Sequence, residues 1–334
     1  MKTTVLGSGS WGTALAILLA RNGHDVTLWG WDRDETESIR SLRENLRYLP
    51  GFAVPEGIQP EWDSACLAEC DMWVVAVPSG AARSVLPLVR GDAALVVIAS
   101  KGLELGSAKP VSQVCEEVLP KARCSALSGP NLAVEIVRGV PTAAVVASSD
   151  LEVAETVRGA FMCRSYRIYV SDDVIGVELA GALKNVLAIG AGVSDGLGFG
   201  DNTKGAFLAR GLHEMCTIGM AMGGRMDTFM GIAGVGDLFA TAVSKLSRNY
   251  RVGLALGQGR TLSDALREID QVAEGVATSE SAVVLARRHF LQVPVFEATE
   301  SILRGRLKPA DGVAALMERM PKNEGFLDRS IPKA

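Results

Sequence analysis

The chain's 334 residues suffice for two domains with substantial cores, and 48% hydrophobic with 22% charged residues is ordinary for a soluble globular protein. Its 34 Lys and Arg against 38 Asp and Glu leave a net charge of −4, which excludes the basic footprint of a nucleic-acid binder, and no uninterrupted apolar run reaches a membrane span. No basic segment leading into an apolar one opens the sequence, so a cytoplasmic protein is expected; Cys66, Cys70, Cys115, Cys124, Cys163 and Cys216 lack zinc-type spacing and read as scattered buried thiols, with no metal site.

Residues 3–6 form a β-prone run, followed at once by Gly7-Ser8-Gly9-Ser10-Trp11-Gly12 and an alanine- and leucine-rich helix over 13–21. This is the G-x-G-x-x-G pattern between a strand and a helix. Gly7 permits the tight turn, Gly9 lets backbone approach a pyrophosphate, and Gly12 allows close packing of helix on strand. The helix N-terminus adds free N–H groups and a positive dipole end. A second strand, 25–29, arrives at the right distance for a dinucleotide-binding unit. It runs into Trp29-Gly30-Trp31-Asp32-Arg33. A carboxylate at the strand's end binds the ribose 2′-OH of NAD, whereas an arginine accommodates the 2′-phosphate of NADP. Asp32 falls slightly late and Arg33 stands beside it, so the pattern leaves NADH and NADPH both open. With no carboxylate at the strand's end itself, NADPH is expected to serve at least as well as NADH.

Further strands are expected at 72–77, 94–100, 123–127, 142–147 and 164–170, with helical patterns between several of them, as at 81–89, 111–118 and 151–161. This rhythm argues for a mostly parallel, doubly wound sheet of the Rossmann type. Ligands on such a sheet bind beyond the carboxyl ends of the strands. Val77-Pro78-Ser79, Ser100-Lys101-Gly102-Leu103-Glu104 and Ser128-Gly129-Pro130-Asn131 fall there. Lys101 follows an apolar run directly and should point from the core's edge into the crevice. Gly129-Pro130 should form an exposed turn leading into a helix N-terminus at Asn131, a setting suited to an anion or polar substrate.

After about Ser171 the strands stop. Helices are expected at 174–193, 203–222, 237–246, 262–268, 278–288 and 310–319, giving a Rossmann domain over 1–172 and an all-helical domain over 173–334. In the first of these helices Leu179, Leu183, Val186 and Gly190 form a stripe, and Lys184 lies roughly opposite among Val177, Gly181 and Ala188. A lysine on a face of small residues is costly unless its charge is matched. Beyond it, Gly231 to Leu238 reads as a glycine-rich turn entering a helix, and Ser247-Arg248-Asn249 offers an arginine flanked by hydroxyl and amide donors, the right chemistry for a phosphate.

These segments together resemble the soluble, prokaryotic NAD(P)-dependent glycerol-3-phosphate dehydrogenases over nearly the whole chain. The likeness rests on GSGSWGTALA at 7–16, NLRYLPG at 45–51, AVPS at 76–79, SKGLE at 100–104, SGPNLAVE at 128–135, ELAGALKNVLAIGAG at 178–192, DGLGFGDNTK at 195–204, GVGDL at 234–238, SRN at 247–249 and VAEGVAT at 272–278. The helix motif with its lysine is the specific one; the glycine fingerprint is common to many dehydrogenases. The chain departs from the family where Asn131-Leu132 follow SGP in place of Ser or Thr and Phe, and where Thr241-Ala242 stand in place of Thr-Cys.

The resemblance implies reduction of dihydroxyacetone phosphate to sn-glycerol 3-phosphate by NADPH or NADH, feeding glycerophospholipid synthesis. It implies Lys184 as proton donor and acceptor, and Lys101, Gly129, Asn131, Asp237, Ser247, Arg248 and Asn249 as substrate contacts. Ser10, Trp11, Lys101, Ala133, Arg248, Val272 and Glu274 would lie along the cofactor, besides Gly7, Gly9, Gly12 and Arg33. A homodimer is common in related folds. The chemistry agrees: a ketone gaining hydride develops negative charge on oxygen, and an ammonium supplies both field and proton. Lys101 nearby would lower the pKa of Lys184, Asp237 and Asn185 would orient the amine, and Arg248 would fix the phosphate. A hydroxy-acid or sugar-acid dehydrogenase fits less well, because His24, His213 and His289 lie in no cleft motif. A nicotinamide sensor without turnover would have no need of Lys184 and Asp237.

Overall fold

Runs such as Met72–Val75 and Leu95–Ile98 are buried at every position, as strands covered on both faces must be. In the computed structural model, which describes residues 1–91 and 94–319, they lie at the centre of one eight-stranded sheet. Its strands are β1 (Lys2–Leu6), β2 (Asp25–Trp29), β5 (Ile58–Glu61), β6 (Met72–Val75), β7 (Leu95–Ile98), β8 (Arg123–Ser128), β9 (Thr142–Ala147) and β10 (Tyr166–Ser171). Their order is β10-β9-β8-β7-β6-β1-β2-β5, with β3 (Glu44–Asn45) and β4 (Leu49–Ala53) as a separate antiparallel pair. Every neighbouring pair in the large sheet is parallel except β8 with β9. The chain steps from β1 outward to β2 on one side and later returns to β6 on the other. The glycine turn after β1 therefore sits at the point where strand order reverses, where such sheets open a ligand crevice.

The helices of the sheet half are α1 (Ser10–Arg21), α2 (Arg33–Leu42), α3 (Ala82–Val85), α4 (Val111–Val118), α5 (Ala133–Arg138) and α6 (Leu151–Phe161). One core packs α1 and α6 on the sheet; another sets α3 and α4 against its opposite face. The helices that follow are α7 (Val174–Gly196), α8 (Asp201–Ala221), α9 (Met226–Phe229), α10 (Asp237–Val243), α11 (Arg248–Gly257), α12 (Leu262–Ile269), α13 (Glu274–Arg288), α14 (Pro294–Leu303) and α15 (Pro309–Met317).

Several elements differ from expectation. Strand β5 carries Pro60 and lies at the sheet's edge, where a proline is tolerated but hides the strand pattern. Helix α2 is mostly polar and buries only Thr36 and Ile39. Helix α11 contains Gly253 and Gly257, which weaken its helical signal. Gly129 is buried rather than exposed, and the helix after it starts at Ala133, not Asn131. Residues 231–238 form no simple turn: Ile232–Gly236 is a π-helical turn running straight into α10. The cysteines are neither all buried nor all scattered, since Cys66 is exposed and the Cys115 and Cys124 sulfurs lie 2.8 Å apart.

Helix α7 is not the two-faced helix its stripe suggests. Every residue from Gly176 to Ser194 is buried, so helices and the β8 side of the sheet surround it. By length and composition it could cross a membrane, with a mean hydropathy of 1.6 over its most apolar stretch, yet 89% of that stretch is buried inside the protein; the stretch Met226–Val243 also passes, at a mean hydropathy of 1.2. Against α11 it packs backbone to backbone. A Cβ on Gly253 would lie 1.8 Å from the Ile189 carbonyl oxygen, and one on Gly192 would lie 2.1 Å from that of Tyr250. Only hydrogen fits at either position, and this contact sets the N-terminus of α11 beside the middle of α7.

Candidate active site

Lys184 sits near the middle of α7 and is 5% exposed. A buried ammonium needs a counter-charge and filled hydrogen bonds. Its Nζ donates to Asp237 Oδ1 at 2.9 Å and to Thr241 Oγ1 at 2.5 Å. Asp237 and Thr241 stand four apart on α10 and so share one face; the Thr241 hydroxyl in turn donates to Asp237 Oδ1 at 3.1 Å. The other carboxylate oxygen, Oδ2, accepts from Lys101 Nζ at 2.7 Å, and Lys101 also donates to the Gly129 carbonyl at 2.6 Å. Asp237 thus bridges two lysines from opposite halves of the chain.

These charges set each other's protonation. Burial pushes Lys184 down, Asp237 pulls it back up, and Lys101 and Arg248 push it down again, leaving it at about 8. For Asp237 burial works toward the neutral acid, but the two lysines outweigh it and hold the carboxyl below its usual range. One anion between two cations leaves the cluster with net positive charge, suited to an anionic ligand.

Arg248 opens α11, behind Ser247, whose hydroxyl caps the helix by accepting from the Tyr250 N–H at 3.2 Å. Among the described residues its guanidinium meets no carboxylate at ion-pair distance, and Nη1 donates to Gln271 Oε1 at 3.4 Å. Burial lowers its pKa, with Glu274 acting against this. Asn249 is occupied within the protein: Nδ2 donates to Asn185 Oδ1 and Oδ1 accepts from the Gly275 N–H, both at 2.9 Å. Of the Ser-Arg-Asn trio, Arg248 alone has most of its donors unassigned. Asn185 does not reach the Lys184 amine as expected. Its Nδ2 donates to the carbonyls of Lys101 and Gly181, both at 3.2 Å, so it holds the Lys101 loop against α7. Thr241 takes the orienting place beside the amine; the four-residue spacing from Asp237 was the signal available for it.

On the sheet side, Gly7 adopts φ +118°, and a Cβ there would lie 2.8 Å from the Ala76 carbonyl oxygen. Gly9 caps α1 with nothing within 4 Å of a would-be Cβ, so the backbone is open at that point. Asn45 pins the turn, its Nδ2 donating to the Ser8 carbonyl at 2.7 Å and to Thr13 Oγ1 at 2.8 Å, a role not legible from its motif. Trp11 Nε1 donates to the Ala99 carbonyl at 3.0 Å, tying Ser10-Trp11 to the strand end that carries Lys101. At the end of β2, Asp32 caps α2 through the Glu35 N–H, and the exposed Arg33 stacks 4.7 Å over the Trp62 ring. Glu274, at the start of α13, accepts from the Ser79 N–H at 2.9 Å and the Ser79 hydroxyl at 2.7 Å, bolting the helical half to the β6 loop. Val272 is exposed just before α13, and Ala133 opens α5.

Comparison with known proteins covers both halves of the chain. The family model described as NAD-dependent glycerol-3-phosphate dehydrogenase N-terminus matches residues 2–154, and its C-terminus counterpart matches residues 173–314. The chain is 44% identical over 326 residues, 97% of its length and 93% of the relative's, to glycerol-3-phosphate dehydrogenase [NAD(P)+] of Desulfitobacterium hafniense. It is 46% identical over 332 residues, 97% of its length and 99% of the relative's, to the protein of that name in Syntrophotalea carbinolica. A crystal structure of glycerol-3-phosphate dehydrogenase from Coxiella burnetii superposes with a TM-score of 0.92 at 36% identity, covering 95% of this chain and 99% of that one. D-mandelate dehydrogenase shares the fold alone, with a TM-score of 0.62 at 11% identity over 94% of this chain and 100% of that one.

Proposed function

The chain belongs to the NAD-dependent glycerol-3-phosphate dehydrogenase family and catalyses the reversible reduction of dihydroxyacetone phosphate to sn-glycerol 3-phosphate with NADH or NADPH, and we propose that Lys184 carries the proton of that reaction. The observation behind this assignment is the bridge of Asp237 between Lys184 and Lys101 inside the protein. A lysine ordinarily stays protonated far above neutrality; at about 8, Lys184 gives up and regains a proton near physiological pH. In the reductive direction its Nζ protonates the substrate oxygen as charge develops there, while Lys101 adds a second positive field. Thr241 and Asp237 hold Nζ in place throughout. In the reverse direction the neutral amine takes the hydroxyl proton.

The glycine turn fits the cofactor that the family requires. The open backbone at Gly9 and the free N-terminal amides of α1 suit a pyrophosphate at Gly7, Gly9, Ser10, Trp11 and Gly12. Arg33, exposed after β2, would take a 2′-phosphate of NADPH, and Ala133, Val272 and Glu274 would lie along the rest of the cofactor. When bound, the nicotinamide supplies the hydride. Arg248, Asn131 and the first amides of α11 take the substrate phosphate and its neighbouring oxygens, so the carbonyl meets Lys184 in one orientation. Residues 1–172 then hold most of the cofactor and 173–334 carry Lys184 and the phosphate site, with Lys101 and Asn131 reaching the substrate from the first half and Val272 and Glu274 reaching the cofactor from the second, in a cytoplasmic enzyme whose product enters glycerophospholipid synthesis. Oxidation of NADH or NADPH that depends on dihydroxyacetone phosphate, in wild type beside Lys184→Ala, tests the assignment. Equal turnover in both proteins would remove Lys184 from the chemistry.

A further inference from the structure

Asn131 is one of the places where the chain leaves the family pattern, putting an amide where a hydroxyl is usual. A hydroxyl rotates to suit its partner, whereas an amide has one donor end and one acceptor end and must be turned the right way. The structure supplies a device for turning it. Tyr166, the first residue of β10, is 1% exposed, and its hydroxyl donates to Asn131 Oδ1 at 2.9 Å. Burial raises the phenol's pKa and the nearby Asp237 charge raises it further, so the hydroxyl keeps its proton and acts as a donor. With Oδ1 committed to that donor, Nδ2 is turned the other way. Nδ2 is buried and has no hydrogen-bond partner among the described residues. An orphaned buried donor is uncommon and calls for a reason. Its backbone is fixed as well: the Gly129 carbonyl accepts from Lys101 Nζ and the Pro130 carbonyl accepts from Thr142 Oγ1 at 3.0 Å. The loop that carries Asn131 is therefore held directly against the Lys101–Asp237–Lys184 cluster.

We infer that Tyr166 is a positioning residue that orients the Asn131 amide so that Nδ2 donates to an oxygen of the three-carbon substrate. This rests on the reading of the site given above. It assigns a function to a core tyrosine outside every motif of the sequence, and it explains how this chain replaces the family's hydroxyl.

The experiment is a double-mutant cycle read as kcat/KM for dihydroxyacetone phosphate, with NADPH Kd and melting temperature measured on the same preparations. Tyr166→Phe keeps the ring and frees the amide, and should lower kcat/KM by about 3- to 10-fold, the usual worth of one hydrogen bond. Asn131→Ala should lower it at least as much. Adding Tyr166→Phe to Asn131→Ala should then change nothing more, because the tyrosine acts through the amide. In an Asn131→Ser background, where a rotating hydroxyl needs no orienting partner, Tyr166→Phe should also be silent. NADPH Kd should hold throughout. Losses that multiply in the double variant, or that appear equally in the Asn131→Ser background, would overturn the inference and return Tyr166 to a packing role. If Tyr166→Phe fails to fold, Asn131→Asp decides: it keeps an acceptor for the phenol and deletes the donor, so unchanged kcat/KM there sinks the proposal. Wild-type turnover and its loss in Lys184→Ala, run alongside, show whether the underlying reading stands on its own.

Discussion

The two halves of the site are built on opposite plans. The proposed pyrophosphate cradle of the cofactor is local: one strand, one glycine turn and one helix within the first 21 residues present their own backbone. The substrate side is assembled from afar, since Lys184 meets a carboxylate 53 positions away and that carboxylate meets a lysine 136 positions away. The first plan uses amides that any sequence supplies, provided three glycines let the chain fold tightly. The second uses charges whose protonation burial and neighbours shift. Cofactor binding should therefore survive most side-chain changes on the substrate side, while turnover should not.

Lys184→Ala separates the halves most sharply. Its kcat should fall roughly 10²–10⁴-fold, the span expected for a positioned acid–base group, with cofactor Kd by fluorescence unchanged. The fold should persist, because removing a buried cation still leaves Asp237 paired with Lys101. Loss of cofactor binding together with a lowered melting temperature would show that Lys184 holds the structure instead.

Asp237→Asn should strike stability as well as turnover. It strands two cations, one of them 5% exposed, and breaking a buried pair costs about 3–5 kcal/mol. Denaturant unfolding reads this directly; a loss under about 1 kcal/mol would mean that water already screens the cluster.

Arg248→Ala should raise KM for dihydroxyacetone phosphate by about 10- to 150-fold, corresponding to roughly 1.5–3 kcal/mol for a charge-assisted hydrogen bond. An unchanged KM would leave Arg248 as no more than the first residue of α11.

The pH profile tests the electrostatics without a mutation. Lys184 is depressed to about 8, so the ammonium that the proposed reduction step uses is present below that pH and lost above it. For reduction, kcat/KM should be flat below the midpoint and fall about tenfold per pH unit above it. Oxidation of glycerol 3-phosphate should rise through the same midpoint. Asp237 pulls the lysine's pKa upward, so any residual activity of Asp237→Asn should show a more acidic midpoint.

The smallest effect is expected on the cofactor side. Arg33→Ala should lower the ratio of kcat/KM for NADPH over NADH a few-fold, consistent with one exposed guanidinium's contact, and leave KM for dihydroxyacetone phosphate alone. A ratio that does not move would confine Arg33 to its stacking on Trp62.

From the sequence alone came the dinucleotide turn, the alternation of strands and helices in the first half, the helical second half, and the residues Lys184, Lys101, Asp237 and Arg248. The turn, the elements and the three basic residues follow from local rules: glycine spacing, hydrophobic period, a lysine in or beside an apolar run, and an arginine among hydroxyl and amide donors; Asp237 comes through the family motif that contains it. Only the tertiary structure decided who meets whom. It made α7 an interior helix on every side, with α11 approaching most closely through Gly192 and Gly253, and the resulting burial brought the pKa of Lys184 down to about 8. It moved Asn185 from the amine to the Lys101 carbonyl, brought Thr241 to the amine in its place, and set Tyr166 behind Asn131. Pairings across more than fifty residues leave no mark on local periodicity, and a pKa depends on burial and neighbours that exist only once the chain has folded.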